Sequence, residues 1–136
     1  MNACEIVARY LSAFWELRWD DLVPLLDDRA VYVDPLLPAP VEGKDAICEI
    51  LVYCHEWGEY SGELVSIFGS ETHVAAELRI RGRVVKPPEG MSETVVGKSF
   101  DFIECDVFEL NAEKRIVRQT IYADALSLQQ QIGEVF

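Results

Sequence analysis

Asp34 is the carboxyl group of this sequence best placed to move a proton. It follows the short β-prone run 31–33 and precedes Pro35, which has no N–H with which to continue a paired strand. Because the residue before a proline is pushed into an extended conformation, we expect Asp34 at the end of a strand, where the chain opens into a loop. A carboxylate held there can act as a general acid or base, and the alternative is a strand-end aspartate that faces water.

Asp106 is a second candidate, because it lies in the longest predicted strand, residues 95–110. Alternation along that strand gives one face to Phe100, Phe102, Glu104, Asp106, Phe108 and Leu110. If this largely aromatic face is the core, Asp106 is either paired or protonated, since a lone buried charge is very costly. The alternatives are an outward face or a buried ion pair with Arg79 or Arg118.

Tyr10 could supply a hydrogen-bond donor to the same interior. It lies on the apolar stripe of an amphipathic helix predicted over residues 3–18, whose members are Ile6, Val7, Tyr10, Leu11, Phe14 and Leu17. Most buried tyrosines are core residues whose hydroxyl has found a partner. Beside a cavity, however, the same hydroxyl becomes a directed donor.

The surrounding pattern changes from helical to strand-like along the chain. Further helices are predicted at 20–26 and 44–57, and strands at 30–34, 63–68, 72–85, 95–110 and 115–124. Residues 126–132 could form a short helix or a loose tail. Three helices followed by a meander of strands predict an α+β fold, with the helices on one face of a curved antiparallel sheet. The 136 residues are expected to form one domain, 1–136.

Composition excludes several classes of partner. The net charge of −12, from 24 acidic and 12 basic side chains, repels nucleic-acid phosphates and anionic membranes. No apolar run reaches the roughly 20 residues of a membrane span. The four cysteines are scattered and are interpreted as reduced thiols of a cytoplasmic protein. His55 and His73 lack metal-ligand spacing, so no metal site is expected.

Three segments together resemble a known family. They are residues 8–11 (ARYL), 27–35 (DDRAVYVDP) and 105–110 (CDVFEL). In this order they resemble the ketosteroid isomerase and SnoaL-like families of the nuclear-transport-factor-2-like superfamily. The resemblance covers nearly the whole chain and implies a cone in which three N-terminal helices pack on the concave face of the sheet.

The resemblance also implies roles for the three candidates. Tyr10 falls at the oxyanion-hole tyrosine of ketosteroid isomerase, Asp34 at its carboxylate base, and Asp106 at its protonated aspartic acid, a division of labour that is a standard example of carboxyl-group tuning. The implied activity is a cofactor-independent isomerase or cyclase that moves a proton next to a carbonyl in a small apolar molecule. The expected pocket residues are Phe14, Tyr32, Leu51, Trp57, Phe102, Glu104 and Phe108.

The sequence also departs from the isomerase pattern. Leu51 stands where ketosteroid isomerase has another tyrosine, Glu104 adds a carboxyl group, and the loop at 87–92 is longer. A SnoaL-like cyclisation is therefore an alternative reaction. So is epoxide hydrolysis through an Asp-Arg-Asp set, to which Arg79 or Arg81 could contribute.

Two further expectations concern the type of protein and its assembly. A non-catalytic binding or assembly module is the alternative to an enzyme. If Asp106 faces inward, Ile103, Cys105 and Val107 face outward and leave an apolar patch on the sheet, which predicts a homodimer through the sheet.

Overall fold

Four helices and a six-stranded sheet make up the protein in a computed structural model that describes residues 1–133. The helices are α1 (Ala3–Trp15), α2 (Trp19–Leu22), α3 (Lys44–Trp57) and α4 (Ala125–Ile132). The strands are β1 (Leu26–Val33), β2 (Val41–Glu42), β3 (Gly58–Gly69), β4 (His73–Val84), β5 (Ser99–Leu110) and β6 (Ile116–Ala123). Short 3-10 turns occupy Val23–Leu25 and Glu93–Val95. The α+β class is confirmed.

The curved sheet is mixed rather than purely antiparallel. Its strand order is β2-β1-β6-β5-β4-β3, and β1 pairs with β6 in parallel while all other neighbours are antiparallel. The prediction of an antiparallel sheet was therefore wrong for this pair. The last strand returns alongside the first, so Tyr32 of β1 lies opposite Gln119 of β6.

Local sequence explains where the first helices begin and end. The Asn2 side chain caps α1 by accepting a hydrogen bond from the Glu5 N–H at 2.9 Å. The helix ends at Trp15, three residues earlier than predicted, and Leu17 adopts a left-handed conformation with φ 59°. The second helix is also shorter than predicted, because the chain tightens into the 3-10 turn at Pro24 and pairs in β1 from Leu26.

The core lies between the inner face of the sheet and helices α1 and α3. Val7, Ile47, Leu78 and Phe108 are fully buried there and come from both helices and two strands. The segment 125–132, left open as helix or tail, is helix α4, which packs Leu128 and Ile132 into the same cluster. Across residues 1–133, no helix is both long and apolar enough to cross a membrane.

Candidate active site

The inner face of β5 carries two acidic side chains of the site, Glu104 and Asp106. Burial along the strand follows the predicted alternation, with Phe100, Asp106 and Phe108 buried and Glu104 half-buried on the inner side. Asp106 is 2% exposed. The outward face and the ion pair considered for Asp106 are both wrong, because Arg79 and Arg118 point to the opposite side of the sheet.

Tyr10 and Asp106 are joined through the side-chain amide of Gln119. The Tyr10 hydroxyl donates to Gln119 Oε1 at 2.6 Å, and Gln119 Nε2 donates to Asp106 Oδ2 at 3.2 Å. The other oxygen of Asp106, Oδ1, is buried and has no hydrogen-bond partner. The Tyr10 ring also packs edge-on against Phe108, with ring centroids 5.6 Å apart. Two of the three predicted residues therefore belong to one buried polar chain.

Asp34 lies at the end of β1, as the Asp-Pro pattern predicted. Its Oδ1 accepts a hydrogen bond from the Leu36 N–H at 2.9 Å, and its Oδ2 accepts one from the Tyr32 hydroxyl at 3.2 Å. The carboxyl group is half-buried. Two donors that hold both oxygens favour the ionised form of this aspartate and fix its direction.

Burial raises the pKa of all three carboxyl groups. For Asp34 the effect of burial is opposed by the hydrogen bonds from Leu36 and Tyr32. Burial raises the pKa of Asp106 to about 6, while the neighbouring carboxyl group of Glu104 and the hydrogen bond from Gln119 lower it. Burial and then the charge of Asp106 raise the pKa of Glu104 well above its usual range. The pair therefore retains its proton on Glu104 more readily than on Asp106, whereas the resemblance had implied a neutral Asp106.

The two phenols of the site keep their protons at neutral pH. Burial raises the pKa of Tyr10 and of Tyr32 above the ordinary tyrosine value, and the charges of nearby acids add to this. Asp34 and Asp106 both contribute to the raised pKa of Tyr32, which places both carboxyl groups within electrostatic reach of this phenol.

Aromatic side chains fill the interior beside the carboxyl groups. Phe14, Trp57 and Phe102, three of the predicted pocket residues, belong to a connected aromatic cluster that also contains Trp15, Trp19, His55, Tyr60 and Phe100. Leu51 is buried on α3. Burial raises the pKa of Tyr60, and Cys54, Glu104 and Asp34 add to this, so the cluster lies near the acidic groups.

Gln119 is the site residue that the sequence pattern did not reveal. Ile116 and Gln119 are both buried although they are three residues apart, which breaks simple alternation. The cause is a register irregularity between β5 and β6 at Glu109 and Leu110. Continued alternation from Ile116 would have turned Arg118 inward and Gln119 outward.

The arginines considered for an Asp-Arg-Asp set lie outside the site. Arg79 forms a two-point ion pair with Asp101 at 2.7 and 3.0 Å, and Arg81 lies 3.4 Å from Glu63, all on the outer face of the sheet. Within residues 1–133 no lysine or arginine is buried. The interior therefore holds acidic groups without a basic partner from the described chain.

The long loop between β4 and β5 packs against the end of α3. The Tyr53 hydroxyl accepts a hydrogen bond from the Glu89 N–H at 2.8 Å, and Val95 is fully buried. A surface cavity of about 180 Å³ lies here, lined by Tyr53, Glu56, Trp57, Lys86, Pro87 and Glu89. Apart from Trp57, it is separate from the predicted pocket residues.

Solved structures share this fold. A candidate polyketide cyclase from Pseudomonas putida superposes with a TM-score of 0.82 at 20% identity, over 96% of this chain and 98% of that chain. An epoxide hydrolase from M. tuberculosis gives 0.74 at 18% identity, over 96% and 88%. A ketosteroid isomerase-like protein from Catenulispora acidiphila, bound to trimethylamine, gives 0.77 at 18% identity, over 96% and 94%. At these identities the structures establish the fold alone.

Sequence comparison gives the family. No curated protein matches the sequence significantly. The SnoaL-like domain family, in contrast, matches residues 7–119, a span that includes Tyr10, Asp34, Asp106 and Gln119. With the cone-shaped α+β fold around that span, the chain belongs to the SnoaL-like family.

Proposed function

We propose that this protein is a cofactor-independent enzyme that moves a proton next to a carbonyl group in a small, apolar substrate. The reaction is an isomerisation or a cyclisation. The observation that carries the proposal is the contrast between Asp34, whose two oxygens both accept hydrogen bonds, and Asp106, which is 2% exposed and has one oxygen without a partner. Acid and base roles are separated when environments drive the pKa values of neighbouring groups apart.

Asp34 is the proposed base. Its hydrogen bonds from Tyr32 and Leu36 favour the carboxylate, while partial burial keeps it basic enough to accept a proton from carbon. The proton leaves the substrate carbon next to the carbonyl, goes to Asp34 and is returned to another position of the substrate.

Tyr10 and the carboxyl pair are proposed to stabilise the oxygen that becomes negative. Removal of the proton places charge on the carbonyl oxygen, and buried donors stabilise that charge more strongly than water does. Tyr10 and Glu104 retain their protons, since burial raises the pKa of both. Phe14, Trp57 and Phe102 supply apolar surface for the rest of the substrate.

The names of the structural neighbours give different reactions. One is named a candidate polyketide cyclase and another an epoxide hydrolase. Because Arg79 and Arg81 face outward, the Asp-Arg-Asp form of epoxide hydrolysis is not favoured here. A binding module is the second candidate, supported by the hydrogen bond in which the Tyr10 hydroxyl already donates its proton to Gln119.

The test is exchange of substrate protons for deuterium. Wild-type protein is incubated in D₂O with a panel of cyclic enones and β-keto esters, and exchange next to the carbonyl is followed by NMR. Asp34→Asn should lose about 10²- to 10⁴-fold in exchange rate while it retains ligand affinity. Asp20→Asn, at an exposed position, is the matched control. Binding without exchange beyond the Asp34→Asn rate would support the binding module instead.

Assembly through the outer face of the sheet is the second part of the proposal. An outer patch of Phe68, Ile103, Cys105, Val107 and Tyr122 lies on that face. Phe68 is 64% exposed and Tyr122 is 62% exposed, which is unusual for large apolar side chains in a row of adjacent strands. The partner proposed for the outer patch is a second copy of the chain.

A reducing compartment is the proposed setting. Cys4, Cys48, Cys54 and Cys105 are all unpaired, and a cytoplasmic protein would keep them so.

A further inference from the structure

The amide of Gln119 has a donor end and an acceptor end, and each is engaged by a different site residue. Its oxygen takes the proton of the Tyr10 hydroxyl at 2.6 Å, and its nitrogen gives a proton to Asp106 at 3.2 Å. Tyr10 and Asp106 are buried, and Gln119 is 5% exposed. In this arrangement Asp106 acts as an acceptor, and Tyr10 has no proton left for a substrate.

Protonation of Asp106 at Oδ2 requires the opposite arrangement. A protonated Asp106 Oδ2 becomes a donor and can no longer accept from Gln119 Nε2, so two hydrogens would face each other. A half-turn of the amide removes this conflict: Asp106 donates to Gln119 Oε1, and Gln119 Nε2 donates to the Tyr10 oxygen. The hydroxyl proton of Tyr10 is then free to point into the interior.

We propose that Gln119 is a positioning residue that couples the protonation of Asp106 to the direction of the Tyr10 hydroxyl proton. The Tyr10 hydroxyl can donate to a ligand when Asp106 is protonated. When Asp106 is ionised, the same proton is donated to Gln119 instead. This coupling refines the proposed function, on which it depends only for the assignment of Tyr10 and Asp106 to the active site.

Glu104 is a nearby source for the proton that reverses the hydrogen bonds between Tyr10, Gln119 and Asp106. Glu104 lies on the same face of β5 two residues from Asp106, and burial and then the charge of Asp106 raise the pKa of Glu104. Transfer of that proton leaves Glu104 as a carboxylate and Asp106 as the acid, so the net charge of the pair is unchanged. Asp106 Oδ1 is buried without a partner, so a proton on it would lack an acceptor, whereas a proton on Oδ2 can donate to Gln119 Oε1.

Other titratable groups lie near the hydrogen-bonded residues Tyr10, Gln119 and Asp106. Asp106 is also influenced by Asp34 and Cys105, and Tyr10 by Cys48 and Cys54 of α3. The sheet neighbours of Asp106, Ala76 on β4 and Ile121 on β6, do not titrate. Burial raises the pKa of Cys54 to about 12, so this thiol remains neutral in the pH range of the test.

The test follows the Tyr10 ring carbon that bears the hydroxyl, by ¹³C NMR of protein labelled at this position in tyrosine. The signal is assigned by its loss in Tyr10→Phe, and the titration from pH 5 to pH 8 remains above the isoelectric point of about 4.5. In wild-type protein the signal should shift with a midpoint near the pKa of Asp106, about 6. Asp106→Asn, whose amide does not ionise, should abolish this pH-dependent shift.

Gln119→Leu distinguishes an effect transmitted by the Gln119 amide from a direct effect of the Asp106 charge on Tyr10. It should reduce the shift of the Tyr10 signal to the small part that the Asp106 charge causes through space. Gln119→Met, closer in shape, replaces it if the leucine variant does not fold, and Gln130→Leu on the exposed side of α4 is the control. A Tyr10 signal that does not titrate in wild-type protein, or that titrates equally without Gln119, would overturn the proposal.

A ligand measurement gives an independent check. The loss of affinity for a cyclic enone on Tyr10→Phe should be about tenfold at pH 5, the size expected for one hydrogen bond, and close to none at pH 8. An equal loss at both pH values contradicts the coupling. Because the NMR titration needs no ligand and no turnover, absence of deuterium exchange would overturn the proposed function and leave this inference standing.

Discussion

The indole of Trp15 on α1 lies directly against Gly62 of β3. A Cβ atom at Gly62 would be 2.1 Å from Trp15 Cζ2, far inside normal contact distance. Gly62→Ala should therefore lower the free energy of unfolding by about 1–3 kcal/mol, the usual cost of overpacking, as measured by urea denaturation. Ser61→Ala, an exposed neighbour, should change it by less than about 0.5 kcal/mol. Equal effects of the two variants would show that the contact does not constrain α1.

Burial of Asp106 should make stability depend on pH. Its pKa is raised by burial from 3.8 to about 6, so the folded state binds this proton more tightly than the unfolded state. The resulting stabilisation is complete below pH 3.8 and is lost as the pH rises through about 6. The Asp106→Asn variant does not ionise at this position, so it does not lose stability in this pH range. Its free energy of unfolding, relative to wild type, should thus improve by roughly 2–3 kcal/mol between pH 4 and pH 7.

Chemical denaturation at a series of pH values measures this difference. Asp20→Asn corrects for the general effect of removing one negative charge from an acidic protein. Parallel stability curves for wild type and Asp106→Asn would mean that Asp106 is solvated as well in the folded state as in the unfolded state.

The proposed reaction should have a bell-shaped pH dependence. Exchange should rise with pH as Asp34 ionises, above the usual aspartate range because burial raises its pKa. The exchange rate should fall again when Asp106 ionises, because the Tyr10 proton is then donated to Gln119 and not to the substrate. Asp106→Asn should retain the rising limb and lose the falling limb in kcat/KM. A falling limb that persists in this variant must come from another group.

Arg79 should have no part in the chemistry. Arg79→Ala removes the outer-face ion pair with Asp101 but leaves the interior unchanged, so the exchange rate should stay within about twofold of wild type. Arg81→Ala provides a second comparison of the same kind. A loss of 10²-fold or more in the exchange rate of either variant would support the Asp-Arg-Asp mechanism.

The outer patch should hold two copies of the chain together. Light scattering at micromolar concentration should give twice the chain mass of 15.4 kDa. Phe68→Asp combined with Ile103→Lys should give monomers, since each places a charge in the buried interface. Leu17→Lys changes an equally exposed apolar residue away from the sheet and should leave the dimer intact. A monomer mass for the wild type contradicts this proposal.

Local signals predicted the elements that carry the candidate residues. The stripe of α1 placed Tyr10 inside, Pro35 ended the strand before Asp34, and alternation along β5 turned Asp106 inward. Each of these signals acts within about ten residues of its candidate, which is the range over which periodicity and proline chemistry can be interpreted.

Long-range pairing was beyond those signals. The parallel pairing of β1 with β6 joins Val33 to Thr120, residues with no local relation in sequence. The irregularity near Leu110 hid Gln119, and with it the way Tyr10 and Asp106 are connected. The proton preference within the Glu104–Asp106 pair depends on burial of both groups, which a one-dimensional pattern does not contain.

The pairing of β1 with β6 also sets the order in which the site can assemble during synthesis. Tyr10 and Asp34 leave the ribosome early, but Gln119 and the strand beside β1 follow some 85 residues after Asp34. Contacts between such distant segments form late, because loop closure must precede them. Until then Tyr10 lacks its hydrogen-bond acceptor and Asp106 lacks its donor. The edge of β1 that later pairs with β6 also remains unpaired. The acidic site is therefore among the last parts of the nascent chain to become ordered.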